Sequence, residues 1–138
     1  MENLNLEIPE IVPEIILTSN DAITPKKKKA LGVGYDIYSP QTVVIPSKTK
    51  RLINTELKLR VPPHIQVKID PISVSTYMES YVVNCDKKES DGSEKIMILV
   101  SNKIDQDFMI PKGTLLGRIV YSIIVDQEQY VVRPIPIT

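Results

Sequence analysis

Three features of the sequence have residue types that can do chemistry: a lysine run, a single cysteine and a single histidine. Residues 26–29 are four consecutive lysines, which could bind phosphate or nucleic acid. No aromatic side chain is interleaved with them, so a solvated loop is the favoured interpretation. Cys85 lacks a plausible neighbouring base and is interpreted as a buried or idle thiol. His64 follows two prolines at a predicted strand edge and is interpreted as a surface residue.

The composition predicts one β-rich domain. The chain has 138 residues, 42% of them hydrophobic, and isoleucine and valine dominate, as is typical of sheets. Eleven prolines argue against long helices, because proline lacks an amide donor and clashes with the preceding turn. Basic and acidic residues number 17 each, so no net field attracts the chain to nucleic acid or to an anionic membrane.

The sequence also predicts a compartment. The first five residues lack the basic-then-apolar order of a secretory signal. No apolar run approaches the roughly 20 residues that cross a bilayer. The lone Cys85 cannot close an intramolecular disulfide, which fits a reducing environment. These features predict a soluble intracellular protein of the cytoplasm or nucleus.

Alternation of apolar and polar residues marks two strands in the middle of the chain. Apolar residues fall at every second position in residues 56–61, and the pattern resumes in residues 64–70. Each run therefore has one dry and one wet face. Pro62 and Pro63 supply a turn between them, and the simplest interpretation is an antiparallel pair.

Further short strands follow, separated by turn residues such as Asp91-Gly92. Residues 95–100 and 117–125 are nearly continuous apolar runs, as expected of strands buried on both faces, and residues 130–132 form a shorter candidate. Strands at this spacing without a helical period predict a β-barrel or sandwich. Residues 1–14 are predicted to be a separate proline-containing arm that lies on a neighbouring surface.

From Ala22 to Val120 the order of features resembles the trimeric dUTPases. Residues 34–39, Gly-Tyr-Asp-Ile-Tyr-Ser, are very close to the first motif of that family, and residues 112–120 stand where the fourth motif belongs. The resemblance implies that residues 15–138 form an all-β, distorted, jelly-roll-like barrel. It also implies a homotrimer with its active sites shared between subunits.

The resemblance assigns roles to residues in the first, second and fourth motifs. In the family the Asp of the first motif holds magnesium through water, which makes Asp36 the candidate for metal and nucleotide binding. The second motif aligns with residues 71–74, where Ser73 remains as a nucleotide-binding candidate. Ile72 replaces the phosphate-binding arginine there, and isoleucine cannot stand in for a planar cation. Arg118 occupies the position of the fourth motif's glutamine and is a third nucleotide-binding candidate. Without its partners, Asp36 would instead fix a local turn.

The third and fifth motifs match less well. Two aspartates compete for the catalytic place in the third motif. Asp91 lies near a family aspartate but is followed by Gly92 where a tyrosine belongs, whereas Asp86 fits only if the loop has an insertion. The fifth motif, a glycine-rich arm with an arginine that closes over the triphosphate, is expected to be missing because the chain stops at Thr138.

Two hypotheses follow from these matches. The first is a catalytically inactive, dUTPase-like trimer that binds an unidentified protein partner or serves assembly, with no cofactor, in a virus or its virion. Folds persist when their chemistry is lost. The alternative is an active, magnesium-dependent dUTP diphosphatase with divergent motifs, forming dUMP and diphosphate. The first is preferred because several charge-stabilising groups are missing together.

Overall fold

The computed structural model describes residues 12–28, 34–83 and 88–123. This part of the chain is all-β, as predicted, and contains no helix, so no helix in it could span a membrane. The strands are β1 (Glu14–Leu17), β2 (Lys26–Lys28), β3 (Gly34–Tyr38), β4 (Val43–Ile45), β5 (Lys50–Arg60), β6 (Ile65–Pro71), β7 (Met78–Val83), β8 (Glu94–Asn102), β9 (Phe108–Ile110) and β10 (Leu115–Ile123).

The described strands form two four-stranded sheets and one two-stranded sheet. The first large sheet has the order β1-β5-β8-β7, and the second has the order β2-β3-β10-β6. Strands β4 and β9 form the small sheet. Every pairing is antiparallel, which agrees with a barrel or sandwich built from non-local pairs.

The predicted pairing of the two central strands is wrong. Both runs are strands, but β5 pairs with β1 and β8, whereas β6 pairs with β10 in the other sheet. The chain passes between the sheets through a turn at His64, an exposed residue in the left-handed region with φ of 70°. Alternation reports which side chains share a face and says nothing about which strand lies alongside.

The core is made of isoleucine, leucine and valine from both large sheets. In β8 the side chains of Ile96, Ile98 and Val100 are buried, and Met97 and Leu99 on the opposite face are half-buried. The prediction of a strand buried on both faces is therefore met fully on one face and partly on the other. Two buried clusters result. One comprises Val43, Ile45, Ile53, Met78, Ile98, Val100, Ile110 and Leu116, and the other comprises Ile37, Leu57, Leu59, Ile96 and Ile119.

Several predictions fall outside the described residues. They concern most of the arm at residues 1–14, the thiol Cys85, the candidate Asp86 and the chain beyond β10, where the strand at residues 130–132 was predicted. Strand β1 begins at Glu14, the last residue assigned to the arm. The division into an arm and a barrel stays a prediction.

Candidate functional site

An ion pair joins the first and fourth motifs. Asp36 of β3 and Arg118 of β10 are direct partners in the antiparallel register, and Arg118 Nε donates to Asp36 Oδ1 over 2.9 Å. The side chain of Asp36 is 15% exposed and that of Arg118 is 32% exposed. The expectation that Asp36 fixes a turn is wrong, because it lies within a strand and its carboxylate is bound by a residue 82 positions away.

Gly34 makes room for the arginine. A Cβ atom at Gly34 would lie 2.9 Å from the carbonyl oxygen of Ile119 and 3.4 Å from Cγ and Cδ of Arg118. Any larger residue would push on the backbone of β10 and on the stem of the arginine. The glycine of the first motif therefore lets the arginine stem lie close against β3.

The pair belongs to a row of charges that crosses the whole second sheet. Lys26 is the register partner of Asp36 on one side, and Asp70 is the register partner of Arg118 on the other. Residues opposite each other in antiparallel strands point to the same face, so the four side chains alternate in sign along one row. Lys68 Nζ adds an ion pair with Asp70 Oδ1 at 3.1 Å.

This row is on the polar face of the sheet. The neighbouring positions Ile37 and Ile119 point the other way and are buried in the core. At the edge of the row, Lys26 Nζ lies 6.0 Å from the centroid of the Tyr38 ring. Sequence reasoning missed Asp70 and the pairing of Lys26. The wet face of the alternating strand could have pointed to Asp70, but no local signal could have identified its neighbours.

The second motif lies beside the start of β10. The amide of Ile72 donates to the carbonyl of Leu116 over 2.9 Å, which places this segment on the same sheet as the Asp36–Arg118 pair. The hydroxyl of Ser73 donates to the carbonyl of Ser75 over 2.6 Å. The structure thus brings the first, second and fourth motifs to one sheet, although the hydroxyl proton of Ser73 is used within its own loop.

Asp91 is bound within the turn between β7 and β8, in the other sheet. Its carboxylate accepts from the hydroxyl and amide of Ser93, at 2.5 and 3.0 Å, and pairs with Arg60 at 3.1 Å. The hydrogen bonds from Ser93 lower the pKa of Asp91 most, and the ion pair with Arg60 lowers it further, to about 2. Such a carboxylate is a weak base, and its contacts within the chain are those of a residue that fixes a turn.

The described residues do not fit a magnesium site formed by protein ligands alone. Among them, no three or more histidine, cysteine, aspartate or glutamate side chains are grouped so as to hold a metal ion. The one candidate on the polar face of β3, Asp36, already accepts from Arg118. Magnesium prefers several oxygen ligands in octahedral geometry, which a single paired carboxylate does not provide.

The family model described as dUTPase matches residues 20–136. An all-β fold with the first, second and fourth motifs on one sheet agrees with that match. The chain therefore belongs to the dUTPase family.

Curated relatives match this chain over most of their length. The deoxyuridine 5'-triphosphate nucleotidohydrolase of Eremothecium gossypii is 29% identical over 119 residues, which cover 86% of this chain and 78% of the relative. The protein of the same name from Saccharomyces cerevisiae is also 29% identical, over 121 residues, which cover 88% of this chain and 82% of the relative.

Solved structures show the same fold. A mutant dUTPase from phage phi11 of Staphylococcus aureus, described as coordinating a structural Mg(II) ion, superposes with a TM-score of 0.63 at 18% identity. The match covers 90% of this chain and 98% of the phage protein. The dUTPase of Staphylococcus bacteriophage 80alpha with dUPNHPP gives a TM-score of 0.63 at 19% identity, with coverage of 90% and 89%.

These comparisons contradict the prediction of a catalytically inactive, non-enzymatic scaffold. The curated relatives that match most of the chain are named as nucleotidohydrolases. The prediction counted missing family residues as missing chemistry, yet one of the two aspartates it considered for the third motif, Asp86, lies outside the described residues. The comparisons likewise lend no support to a viral source or to a separate protein partner.

Proposed function

We propose that this protein is a dUTP nucleotidohydrolase, which converts dUTP and water into dUMP and diphosphate. The observation that carries the proposal is the match to enzymes of this name over 86–88% of the chain. The convergence of three motifs on one sheet supports it. This is the alternative hypothesis of the sequence analysis.

The reaction places demands on the site. Water adds to the α-phosphorus, the bond to the β-phosphate breaks, and diphosphate leaves with the electron pair of that bond. Cations that face the phosphates stabilise the charge that develops. Arg118 and Lys26 are cations on the same face of the second sheet, and we assign this role to that face.

A base must take the proton from the attacking water. Asp91 is occupied by Arg60 and Ser93, which leaves Asp86 as our candidate for this base. Magnesium bound to the nucleotide would neutralise phosphate charge. Since the described residues supply no ligand set of their own, no protein-held magnesium site is part of the proposal.

We also propose a homotrimer. Val44 and Met109 are register partners in the small sheet, and their side chains are 43% and 58% exposed on the same face. Association would cover such adjacent apolar groups. Sedimentation at micromolar concentration should give three times the monomer mass, and a monomer mass would contradict the trimer.

Turnover measurements test the proposed function directly. The protein is incubated with dUTP, dCTP, dTTP or UTP, with magnesium and with EDTA, and nucleoside monophosphate is measured by chromatography. We expect dUMP from dUTP far above the other products. Asp86→Asn should reduce the rate at least about 100-fold, and Asp91→Asn should leave most of it. No dUMP above the blank at micromolar protein would overturn the proposal.

A further inference from the structure

We infer that Arg118 is a phosphate-binding residue of this protein and that Asp36 is its positioning residue rather than a magnesium ligand. The inference rests on the proposed function for the identity of the ligand, a nucleoside triphosphate. Its structural basis is the geometry of the Asp36–Arg118 pair.

The guanidinium is held by one nitrogen and leaves its forked end open. Arg118 Nε donates to Asp36 Oδ1, and this is the one ion pair of Arg118 within the described residues. The two terminal nitrogens therefore have no carboxylate partner in that part of the chain. A guanidinium whose terminal N–H groups point away from its partner can bind a phosphate through two parallel hydrogen bonds.

The side chain is also fixed before any ligand arrives. Its stem lies against Gly34, where no Cβ intervenes, and its Nε is tied to a carboxylate that is only 15% exposed. An arginine that is already ordered loses less conformational freedom when it binds a phosphate. Together Gly34 and Asp36 therefore act as a support for Arg118.

The surrounding charges favour an anion. The row contains Lys26, Asp36, Arg118 and Asp70, and Lys68 pairs with Asp70. These five described side chains, three cations and two carboxylates, carry one net positive charge. Asp36 thus orients the arginine without making the face negative.

The same contact argues against a metal-binding role for Asp36. Bringing a magnesium ion to this carboxylate would place the ion beside a guanidinium, and the two cations would repel each other and compete for the same negative charge. A phosphate group, by contrast, approaches the open fork of Arg118 and leaves the ion pair intact.

Calorimetric titration tests the inference with two probes, inorganic tripolyphosphate and the non-hydrolysable analogue α,β-imido-dUTP, each with magnesium and with EDTA. We expect Arg118→Met, which removes the donors but keeps an unbranched side chain, to weaken the binding of both probes at least about tenfold and to change the affinity for deoxyuridine by less than about threefold. Arg118→Lys should recover little, because lysine cannot keep the bond to Asp36 and also present a fork. Arg51→Met, at an exposed arginine in the first sheet, is the matched control and should bind both probes as the wild type does.

The role of Asp36 is tested by the loss of tripolyphosphate affinity that its substitution causes, compared between magnesium and EDTA and between the wild-type and Arg118-variant backgrounds. Asp36→Asn should weaken tripolyphosphate binding by the same factor with magnesium and with EDTA, and this factor should fall close to one in the Arg118→Met background. A loss seen only with magnesium would overturn the positioning role. Circular dichroism and melting temperature confirm that each variant folds.

The outcomes also separate this inference from the proposed function. If the wild type turns over dUTP but Arg118→Met binds tripolyphosphate as the wild type does, the inference fails and the function stands. If the wild type does not turn over dUTP and Arg118→Met still lowers tripolyphosphate affinity, the phosphate-binding residue stands and the function fails. Absence of tripolyphosphate binding by the wild type would overturn the inference.

Discussion

The side-chain amide of Asn102 donates to the backbone carbonyl of Ile45 over 3.1 Å, although 57 residues separate them. Asn102 ends β8 and Ile45 ends β4, so this contact joins the first large sheet to the small one. The amide also lies within hydrogen-bonding distance of the carbonyls of Pro46 and Gln106, and its oxygen accepts from the amide of Ile104. The side chain is thus a buried polar link between two strand ends and a loop.

Replacing this link with an apolar residue should be costly. Asn102 is 2% exposed, and Asn102→Leu leaves several backbone groups without their partner, at about 1–3 kcal/mol for each one that stays buried. We expect the free energy of unfolding to fall by at least about 2 kcal/mol in urea titrations. Gln106→Leu, which changes only an exposed side chain, should stay within about 0.5 kcal/mol. Equal losses in the two variants would show that the amide of Asn102 has no special role.

Two glycines near the fourth motif should respond differently to alanine. At Gly117 a Cβ would lie 3.0 Å from the carbonyl oxygen of Asp70 and 3.3 Å from Cδ1 of Ile98, so Gly117→Ala should cost about 1–3 kcal/mol by steric overlap. Gly113 has open space around it but a φ of 88°, so Gly113→Ala should cost roughly 1 kcal/mol by strain alone. Gly113→Asn should recover part of that loss, since asparagine tolerates this conformation. Thermal unfolding measures the stability of the three variants. If Gly113→Asn is destabilised as much as Gly113→Ala, the strain explanation is contradicted.

The bulge in β5 should depend on one side-chain oxygen. The pairing of β5 with β8 shifts register between Asn54 and Lys58, and Glu56 within this interval has a φ of 58°. Asn54 Oδ1 accepts from the amide of Glu56 over 2.8 Å. Asn54→Ala should therefore destabilise the fold by about 1 kcal/mol, whereas Asn54→Asp, which keeps the acceptor, should lose less than half of that. Urea titration measures the free energy of unfolding of both variants. Equal losses would show that the side-chain oxygen of residue 54 does not stabilise the bulge.

Acid should weaken the turn at Asp91 in a defined window. The folded-state pKa of Asp91 is lowered from 3.8 to about 2, first by Ser93 and then by Arg60. Because the folded-state value lies below the unfolded one, the ionised carboxylate stabilises the fold above about pH 4, and this contribution is lost as the pH falls toward 2. Asp91→Asn should therefore show a shallower loss of stability than the wild type between pH 4 and 2. Asp21→Asn, at a carboxylate that forms no ion pair with any described residue, should follow the wild-type slope.

The fold class and the family could be predicted without coordinates. Isoleucine and valine in short alternating runs, broken by proline and glycine, predict strands because side chains in a strand alternate between two faces. The motif at residues 34–39, with the order and spacing of the features from Ala22 to Val120, was enough to identify a dUTPase resemblance, and the family match confirms it. These properties are local or depend on order along the chain, so one sequence can show them.

The tertiary structure alone decided which strands pair and which charged side chains form ion pairs. The runs that became β5 and β6 were expected to pair, yet they lie in different sheets, because the apolar pattern specifies a face and not a partner. Arg118 could be predicted as a nucleotide-binding candidate at the position of the family's glutamine, but for the same reason its bond to Asp36 could not be foreseen. That bond joins residues 82 positions apart, and it forms because β3 and β10 pair in a register that only the packed core selects.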